Sequence, residues 1–517
     1  MIIIICICVV TAILVCLSVM FKPEVKIKKF SLGTYWIISL IGALILLIFQ
    51  FVPLDYVGSR LISNTAINPL KILVLFISMT FLSVFLDELG FFKYLANIAL
   101  KKKIKKQITL FLILYSMIAI LTIFTSNDII ILTFTPFICC FCKKAKINPL
   151  PYLFGEFFAA NTWSMFLIIG NPTNIYLASS AGIDFFTYIG VMFLPTFGGG
   201  IVSLLIIIII FYKELKKPIE KVEYENITLD KAQIIIGLIH LFICLILLSI
   251  SSYLNIEMWI ITFSLCISLI LCDSIYKIIR KNSEIVVLQT IKRLPFSLIP
   301  FVLSMFVIAL SLEYIGVTDK IALFLNKFDV IFSVGFSSFI SANLINNIPM
   351  SVLFSSILNS SNFSQVNYLK GIYAAIIGSN IGAYFTPIGA LAGIMWMSIL
   401  KRFDIKINFA NFVKYGSIAS IPTLLISLLL LELFFRLKKC KKMSKKLDFI
   451  RCVLYNFHVK GSNRLLFNKT FTKKAFHHKK RHIFKRKCIS YGDCNNKIKS
   501  FGKVFDFIRN NFLEAYV

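Results

Sequence analysis

The segment TSNDIIILTFTP, residues 125–136, places three polar residues, Ser126, Asn127 and Asp128, inside an apolar part of the chain. The stretch IAILTIF leads into the segment and FICCF follows it, and neither holds a charged residue. In a membrane-spanning region, a carboxylate near the centre costs at least ~3 kcal/mol, and such residues mark functional sites by default. The cluster is therefore the first candidate site in the sequence.

The composition predicts a helical membrane protein with many spans. Of its 517 residues, 58% are hydrophobic and 15% are charged, whereas soluble domains carry about 25% charged residues. Runs long and apolar enough to cross a bilayer as helices lie near 1–21, 33–52, 70–92, 187–212, 232–253, 258–276, 294–314 and 411–435. Polar residues, proline and glycine interrupt three further apolar stretches, 107–142, 152–179 and 321–400. We expect an all-α, multi-pass protein of the cell membrane.

Motifs typical of enzymes are missing from the sequence. The chain holds no Walker loop, no GxSxG and no HExxH, and its 13 cysteines show no metal-binding spacing. Four of the five histidines lie after residue 437. We therefore expect a membrane transporter without a cofactor, a metal site or an ATPase of its own, rather than an enzyme.

The positive charges predict which loops face the cytoplasm, because short loops rich in Lys and Arg stay on that side. Such loops are 22–29, 93–106 and 143–146, whereas 53–69 and 179–186 carry little positive charge. Since both flanks of 107–142 belong in the cytoplasm, we predict a re-entrant hairpin with TSND at its tip. Two full crossings are the alternative.

Two broken spans and two hairpins occur in the same order along the chain. GNPTN at 170–174 interrupts the span 152–179, and GSNIGAYFTPIG at 378–389 interrupts a later one. NLINNIP at 343–349 matches TSND as a second hairpin tip. At membrane depth, non-helical backbone is tolerated only where it lines a cavity or is buried in protein.

This order predicts two inverted repeats. Each half holds about five full spans and one hairpin, and an odd number of crossings turns the second half upside down. The predicted domains are the first repeat, a charged cytoplasmic linker, the second repeat and a basic tail that we expect to be poorly ordered: 1–212, 213–231, 232–437 and 438–517.

Inverted repeats with broken helices are typical of secondary transporters, whose binding site lies near the midplane. The polar residues of the two tips and two breaks are the candidate substrate- or ion-binding residues: Ser126, Asn127, Asp128, Asn171, Thr173, Asn174, Asn346, Asn347, Ser379, Asn380 and Thr386. The alternative is that these residues only hydrogen-bond neighbouring helices.

Acidic residues near the tips are candidates for proton coupling. Desolvation favours the protonated form of a carboxylate, so Asp128 at a hairpin tip could bind a proton on one side and release it on the other. Its alternative role is the N-cap of the returning arm. Glu156 is the second candidate. Asp87 and Glu88 end a span, where we expect capping or pairing with the lysines of 93–106.

Five motifs resemble the arsenical pump membrane protein family, which belongs to the ion transporter superfamily. They are FLDELGFF (85–92), SND...TP (126–136), GNPTNIYLASSAGIDFFTY (170–188), NNIP (346–349) and GSNIGAYFTPIGALAGIMW (378–396). The resemblance covers roughly residues 30–436. It implies efflux of arsenite and antimonite, by proton antiport or with a soluble ATPase subunit, and an elevator-like motion.

One position departs from the pattern of the family. GEFFAANTWS (155–164) has Asn161 and Thr162 where arsenical pumps tend to have an Asp-Thr pair. Glu156 lies five residues earlier, and whether it replaces that acid is open.

The substrate is predicted from the charge of the four clusters. Arsenite near neutral pH is chiefly the neutral As(OH)3, which suits a pocket of amides and hydroxyls without Lys or Arg. A citrate-type di- or tricarboxylate carrier needs positive charge, which sodium bound by tip carbonyls could supply. That carrier, and a sodium/proton antiporter, are the alternatives.

The expected partners are the substrate, a coupling proton or sodium ion, the lipid bilayer and a second copy in a homodimer. The tail 438–517 holds 22 Lys and Arg against 4 Asp and Glu. Nucleic acid is disfavoured as its partner because no recognition module is present, so anionic lipid is favoured.

Overall fold

The computed structural model describes residues 1–21, 24–27, 30–62, 68–100, 106–219, 230–254, 256–280, 286–360 and 362–443. Residues Met1–Arg436 form one compact unit. The predicted basic tail beyond residue 443, and residues 220–229 of the predicted linker, lie outside the described residues.

The elements are numbered in chain order. The first half contains α1 (Ile2–Phe21), β1 (Glu24–Ile27), β2 (Phe30–Gly33), α2 (Thr34–Ile48), α3 (Leu54–Ile62), α4 (Pro69–Glu88), α5 (Phe91–Leu100), α6 (Gln107–Phe124), α7 (Asn127–Ala145), α8 (Leu150–Trp163), α9 (Pro172–Ser180), α10 (Phe185–Ile210) and α11 (Tyr212–Leu215). The second half contains α12 (Lys231–Leu254), α13 (Met258–Arg280), α14 (Val286–Arg293), α15 (Leu298–Tyr314), α16 (Val317–Leu325), α17 (Val330–Ile345), α18 (Asn347–Leu358), α19 (Gln365–Gly382), α20 (Leu391–Arg402) and α21 (Phe409–Met443).

The helices confirm the predicted multi-pass membrane protein. Among the described residues, 7 helical segments are long and apolar enough to cross a membrane: Pro69–Glu88, Gln107–Phe124, Phe185–Ile210, Lys231–Ser251, Met258–Arg280, Val286–Tyr314 and Phe409–Lys438. Shorter apolar helices are Ile2–Ser18, Thr34–Ile48, Val330–Ile345 and Asn347–Leu358. The antiparallel strand pair β1–β2 is a small addition to the all-α class.

The first hairpin turns at the predicted polar cluster. Helix α6 ends at Phe124, and α7 begins at Asn127 with Ser126 in extended conformation before it. The Thr125 hydroxyl donates to the Leu121 carbonyl at 2.8 Å, which satisfies one of the backbone groups that the end of α6 leaves free. Helix α7 continues to Ala145, past the predicted end of the returning arm at 142, because basic residues are favourable in a last helical turn.

Each hairpin tip lies beside a broken span. The Asn127 amide donates to Asn161 Oδ1 at 3.0 Å, where α8 approaches its end. The Asn347 N–H donates to the Gly389 carbonyl at 3.1 Å, in the segment between α19 and α20. A tip that reaches the break in the middle of a span favours the re-entrant hairpin over two full crossings.

Glycine and proline explain why these spans are broken. Between α8 and α9, a Cβ on Gly170 would lie 2.1 Å from the Ser164 carbonyl oxygen. Pro172 then starts α9, where its missing N–H is not needed. In the second break, a Cβ on Gly389 would lie 2.5 Å from the Gly382 carbonyl oxygen. At both glycines, neighbouring backbone lies too close for a residue that carries a Cβ atom.

The two broken spans run antiparallel to each other. Four contacts follow one another along them: Phe154 with Trp396, Thr162 with Tyr384, Asn171 with Asn380, and Ser180 with Tyr368. The open end of the first hairpin, where α6 begins, lies beside the start of α8, and the Tyr152 hydroxyl donates to Gln107 Oε1 at 3.2 Å. The open end of the second hairpin lies beside the end of α9, where Asn326, four residues before α17, accepts from the Asn367 amide, next to Tyr368. The hairpins therefore enter from opposite ends.

The other helices exchange partners between the halves. Helix α4 packs against α13, and α15 packs against α2. Ion pairs cross the halves as well, and the partners of each pair lie in or beside loops predicted on the same side of the membrane: Lys71 with Glu257, Arg60 with Glu313, and Arg293 with Asp87. This arrangement supports the inverted repeat, which stays a prediction, as do the domain boundaries.

Asp87 and Glu88 have a partner that the sequence analysis did not anticipate. Both carboxylates contact the Arg293 guanidinium, with 2.7 Å between Asp87 Oδ2 and Arg293 Nη2. This pair forms because α14 packs against α4 and brings an arginine from the other half. Residues 101–105, which hold most lysines of the loop 93–106, lie outside the described residues, so the expected pairing with those lysines stays a prediction.

Candidate functional site

The two breaks meet at a buried amide network. The Oδ1 atom of Asn380 lies 2.9 Å from both Ser164 Oγ and Asn171 Nδ2, which act as donors. The Asn380 amide donates to Asn174 Oδ1 at 2.7 Å and to the Ile376 carbonyl at 2.8 Å. All five residues are buried. This network joins the first and second halves at their broken spans.

The network also satisfies the backbone that the first break frees. The Asn174 amide donates to the Ser164 carbonyl at 2.8 Å and to the Leu167 carbonyl at 3.2 Å. Asn171 is the N-cap of α9 and accepts from the Thr173 N–H at 3.2 Å. Backbone groups that are left unpaired in a membrane interior are costly. The side-chain amides of Asn171 and Asn174 replace hydrogen bonds that the interruption of the helix removes.

The first hairpin tip attaches to this network through Asn161. Ser126 and Asn127 are buried, and Asn127 donates to Asn161. Asn161 in turn donates to the Phe157 carbonyl at 2.8 Å, and its own carbonyl lies 2.9 Å from Ser164 Oγ. Asn161 is the position where arsenical pumps tend to have an acid, and here it links tip and break.

Asp128 is not the cap of the returning arm. Ser126 occupies the N-cap position of α7, and Asp128 lies in the first helical turn. The alternative role that the sequence left open is therefore wrong. The side chain is half-buried, and within the described part of the chain no donor forms a hydrogen bond with it.

The second hairpin tip is held by the second break. Asn346 has a positive φ of 72°, and its amide donates to the Ile388 carbonyl at 3.1 Å. Its Oδ1 accepts from the Ile348 N–H at 3.4 Å as the N-cap of α18. Asn347 follows as the first residue of the helix, also buried.

Asn343 is a residue of this site that the sequence reasoning missed. Its Oδ1 accepts from the Thr386 N–H at 3.1 Å and from the Thr386 hydroxyl at 2.7 Å. Its amide donates to the Gly382 carbonyl at 3.0 Å. Asn343 is the first residue of the NLINNIP motif and lies about one helical turn before the tip. Its position within that motif was the signal that could have identified it.

Two buried hydroxyl groups of the candidate set have no partner. Thr173 Oγ1 and Ser379 Oγ form no hydrogen bond with any residue that the structure describes. Buried polar atoms are nearly always satisfied, so each exception needs an explanation. A transported solute that supplies the missing partner is one such explanation.

Glu156 lies apart from the tip, on the same helix as Asn161. Five residues separate the two, which is about 7.5 Å along α8. Glu156 is 1% exposed, and its Oε1 accepts from the Thr135 hydroxyl at 2.8 Å. The Trp396 indole is the other polar group beside it. Its Oε2 has no hydrogen-bond partner among the described residues.

The predicted residues thus form two groups. Asn127, Asn171, Asn174 and Asn380 belong to one connected network, which continues from Asn161 to Asn380 through Ser164. The second tip forms a group of its own with Thr386 and Ile388 of the second break, and no side-chain hydrogen bond in the described ranges joins the groups. Both groups consist of neutral amides and hydroxyls. Asp128 is the acidic residue of the candidate binding set, and no side-chain hydrogen bond among the described residues joins it to either group.

Known proteins resemble this chain over most of its length. The family model described as CitMHS, citrate transporter, matches residues 33–370, more than half of the chain. The arsenical pump membrane protein of Escherichia coli is 24% identical over 377 residues, which cover 69% of this chain and 85% of that protein. The putative arsenical pump membrane protein of Bacillus subtilis (strain 168) is 25% identical over 416 residues, which cover 75% of this chain and 91% of that protein.

A solved structure also aligns with the chain. The crystal structure of the Alcanivorax borkumensis YdaH transporter has a TM-score of 0.48 and 11% sequence identity, and the alignment covers 84% of this chain and 98% of that one. The resemblance to arsenical pumps that the motifs predicted is confirmed by the curated relatives. With the family model matching over half of its residues, this chain belongs to the citrate transporter (CitMHS) family and is a multi-pass membrane transporter.

Proposed function

We propose that this protein exports arsenite or antimonite from the cell. The observation that carries the proposal is the chemistry of the site: buried amides and hydroxyls, with no Lys or Arg in the tips and breaks. Neutral As(OH)3 offers three hydroxyl groups, which can donate to amide oxygens and accept from amide N–H groups. The relatives that bear the name arsenical pump membrane protein support the same substrate.

Proton antiport is the proposed coupling. Asp128 has no hydrogen-bond or ion-pair partner among the described residues and lies at a hairpin tip, where it can carry a proton in exchange for the solute. The helix N-terminus favours its anionic form, and burial favours its neutral form. Because these two influences oppose each other, a change in the surroundings of Asp128 can switch its carboxylate between the protonated and the ionised form. Glu156 is the second candidate acid.

An elevator-like motion is the proposed mechanism of access. Each tip is hydrogen-bonded to the break beside it. Helix α2 packs against α15 and α4 packs against α13, and α15 also borders α18 of the second hairpin. The tips and breaks are the proposed moving body, and α2, α4, α13 and α15 are the proposed frame. A soluble ATPase subunit and a homodimer remain proposed partners of the assembled transporter.

A carboxylate carrier is the second candidate function, and the citrate transporter family model favours it. In that case a bound cation, such as sodium at the tips, must offset the charge of the substrate. Asp128 would then help to bind the cation. A sodium/proton antiporter would use the same acid without an organic substrate.

Growth of an arsenite-sensitive cell that lacks its own exporter tests the proposal. Cells expressing this protein should tolerate several-fold more arsenite than cells with an empty vector, and inverted vesicles should accumulate arsenite when a proton gradient is imposed. A parallel assay with radiolabelled citrate and sodium tests the second candidate. Citrate uptake without any gain in arsenite tolerance would reject arsenite export.

A further inference from the structure

We infer that Asn380 is a positioning residue that joins the two broken spans into one body, and that it is not a ligand of the transported solute. The inference refines the proposed transport function, since Asn380 belongs to the candidate binding set. One of its two tests requires no substrate at all.

Each polar position of the Asn380 amide faces a partner within the protein. A side-chain amide has two N–H donors and two acceptor positions on its oxygen. The donors of Asn380 are used by Asn174 Oδ1 and the Ile376 carbonyl. Its oxygen faces Ser164 Oγ and Asn171 Nδ2, both at 2.9 Å. A solute could bind this amide only by displacing one of these partners.

The partners of Asn380 lie in the other half of the chain. Between 206 and 216 sequence positions separate Asn380 from Asn174 and Ser164. The contact lies where the antiparallel broken spans cross, next to the pair formed by Thr162 and Tyr384. Separating the spans there would leave several buried amides without partners, which is strongly unfavourable away from water. The two breaks must therefore move together.

Neighbouring groups differ from Asn380 in how far their hydrogen-bonding groups are satisfied. The hydroxyl of Ser379, one residue earlier, has no partner in the described part of the chain, and neither has that of Thr173. Ser379 is as fully buried as Asn380. This adjacent pair therefore gives a matched comparison between a saturated side chain and an unsaturated one at the same depth.

Thermal unfolding of the purified full-length protein in detergent is the first test. Asn174→Ala and Asn380→Ala should each lower the Tm, and the double variant should lose clearly less than the sum of the two losses, because both remove one interaction. Ser379→Ala should leave the Tm within about 1 °C of wild type, since it breaks no hydrogen bond. Additive losses for Asn174 and Asn380 would overturn the inference.

Transport kinetics in inverted vesicles are the second test. A positioning role predicts that Asn380→Ala lowers the maximal rate at least tenfold while KM stays within twofold. Loss of a ligand would instead raise KM, which is the expected result for Ser379→Ala. A tenfold rise in KM for Asn380→Ala with an unchanged Tm would overturn the inference.

Two further outcomes are distinguishable. If Asn380→Ala cannot be purified in folded form, Asn174→Ala probes the same bond from its other end, and an unchanged Tm for that variant overturns the inference. If the wild-type protein transports no arsenite, the proposed function fails, whereas the thermal comparison still decides the role of Asn380.

Discussion

Arg60 of α3 and Glu313 of α15 connect the two halves of the chain, with 2.5 Å between Arg60 Nη2 and Glu313 Oε1. Arg293 of α14 makes the corresponding connection to Asp87 of α4. In both cases a short surface helix of one half holds the last turn of a long helix of the other half. The two pairs therefore link the halves of the chain at two separate places.

The pair at Arg293 should be the more important of the two for stability, because Asp87 is only 5% exposed. Arg293→Ala leaves this carboxylate buried without a partner, and we expect a loss of about 3 kcal/mol. Adding Asp87→Asn should recover part of that loss, since it removes the unpaired charge. Lys292→Ala, at the exposed neighbouring position, is the control. Equal Tm values for Arg293→Ala and Lys292→Ala would contradict the prediction.

Single cysteines test the first hairpin in a variant whose native cysteines have been removed. Lys106→Cys and Lys146→Cys flank the hairpin, and both should react with a membrane-impermeant thiol reagent only in inverted vesicles. Asn359→Cys, at the end of the second hairpin, should react in intact cells instead. Opposite labelling of Lys106→Cys and Lys146→Cys would mean that α6 and α7 cross the membrane completely.

Replacing Asp128 separates coupling from structure. Asp128→Asn keeps the size of the side chain but removes the exchangeable proton. We expect proton-driven arsenite accumulation to fall at least tenfold, while exchange of arsenite across vesicles without a gradient continues. Glu156→Gln is the comparison, and only one of the two variants should lose coupling. Normal accumulation by Asp128→Asn would transfer the coupling role to Glu156.

The second tip is better tested at Asn347 than at Asn346. Leucine at position 346 would have to adopt a φ of 72°, which costs about 1–3 kcal/mol for such residues. Asn347 is helical, so Asn347→Leu should insert and fold normally. We expect arsenite transport to be lost in this variant, with expression and Tm near wild type. Wild-type transport would exclude a binding role for this side chain.

The stability contributed by the ion pair of Lys71 and Glu257 should depend on pH in the acid range. The hydrogen bond from Lys71 lowers the pKa of Glu257 below its usual value. A carboxylate with a lower pKa in the folded state stabilises the fold above its unfolded pKa, and this contribution is lost as the pH falls through the folded pKa. Glu257 is largely exposed, so the pair contributes at most about 1 kcal/mol.

Glu257→Gln should therefore lower the Tm slightly at pH 7, and this difference should disappear as the pH falls below the folded pKa of Glu257, where the wild-type carboxylate is also protonated. Tm measurements of both proteins across this range provide the check. A difference that grows towards acid pH would contradict the assignment.

The sequence predicted the local interruptions of the fold well, because proline, glycine and asparagine act on the backbone near their own positions. The two tips and the two breaks lie where TSND, GNPTN, NLINNIP and GSNIGAYFTPIG placed them. Contacts between the halves were not predictable in this way. Nothing near Asp87 indicates that its partner is Arg293, and nothing near Asn174 indicates Asn380.

The details of the site depended on helix phase, which composition does not resolve. Asn343 and Asn346 occur in one motif, yet only the structure shows that Asn343 binds Thr386. Similarly, Asp128 precedes an apolar run and fits the pattern of a cap, but α7 begins one residue before it. A shift of two residues in the start of α7 separates a cap at Asp128 from a carboxylate in the first helical turn.

The exchange of partners between the halves has a consequence for biosynthesis. Helix α4 leaves the ribosome before α13 and α14, and Asp87 precedes Arg293 by 206 positions, so that at about 5–20 residues per second the carboxylate waits roughly 10–40 s for its partner. During that interval the helices of the first half lack packing partners, since α2 also lacks α15. A nascent chain that stops at the linker should therefore be recognised and degraded by membrane proteases, and the two halves should be rescued only when they are co-expressed.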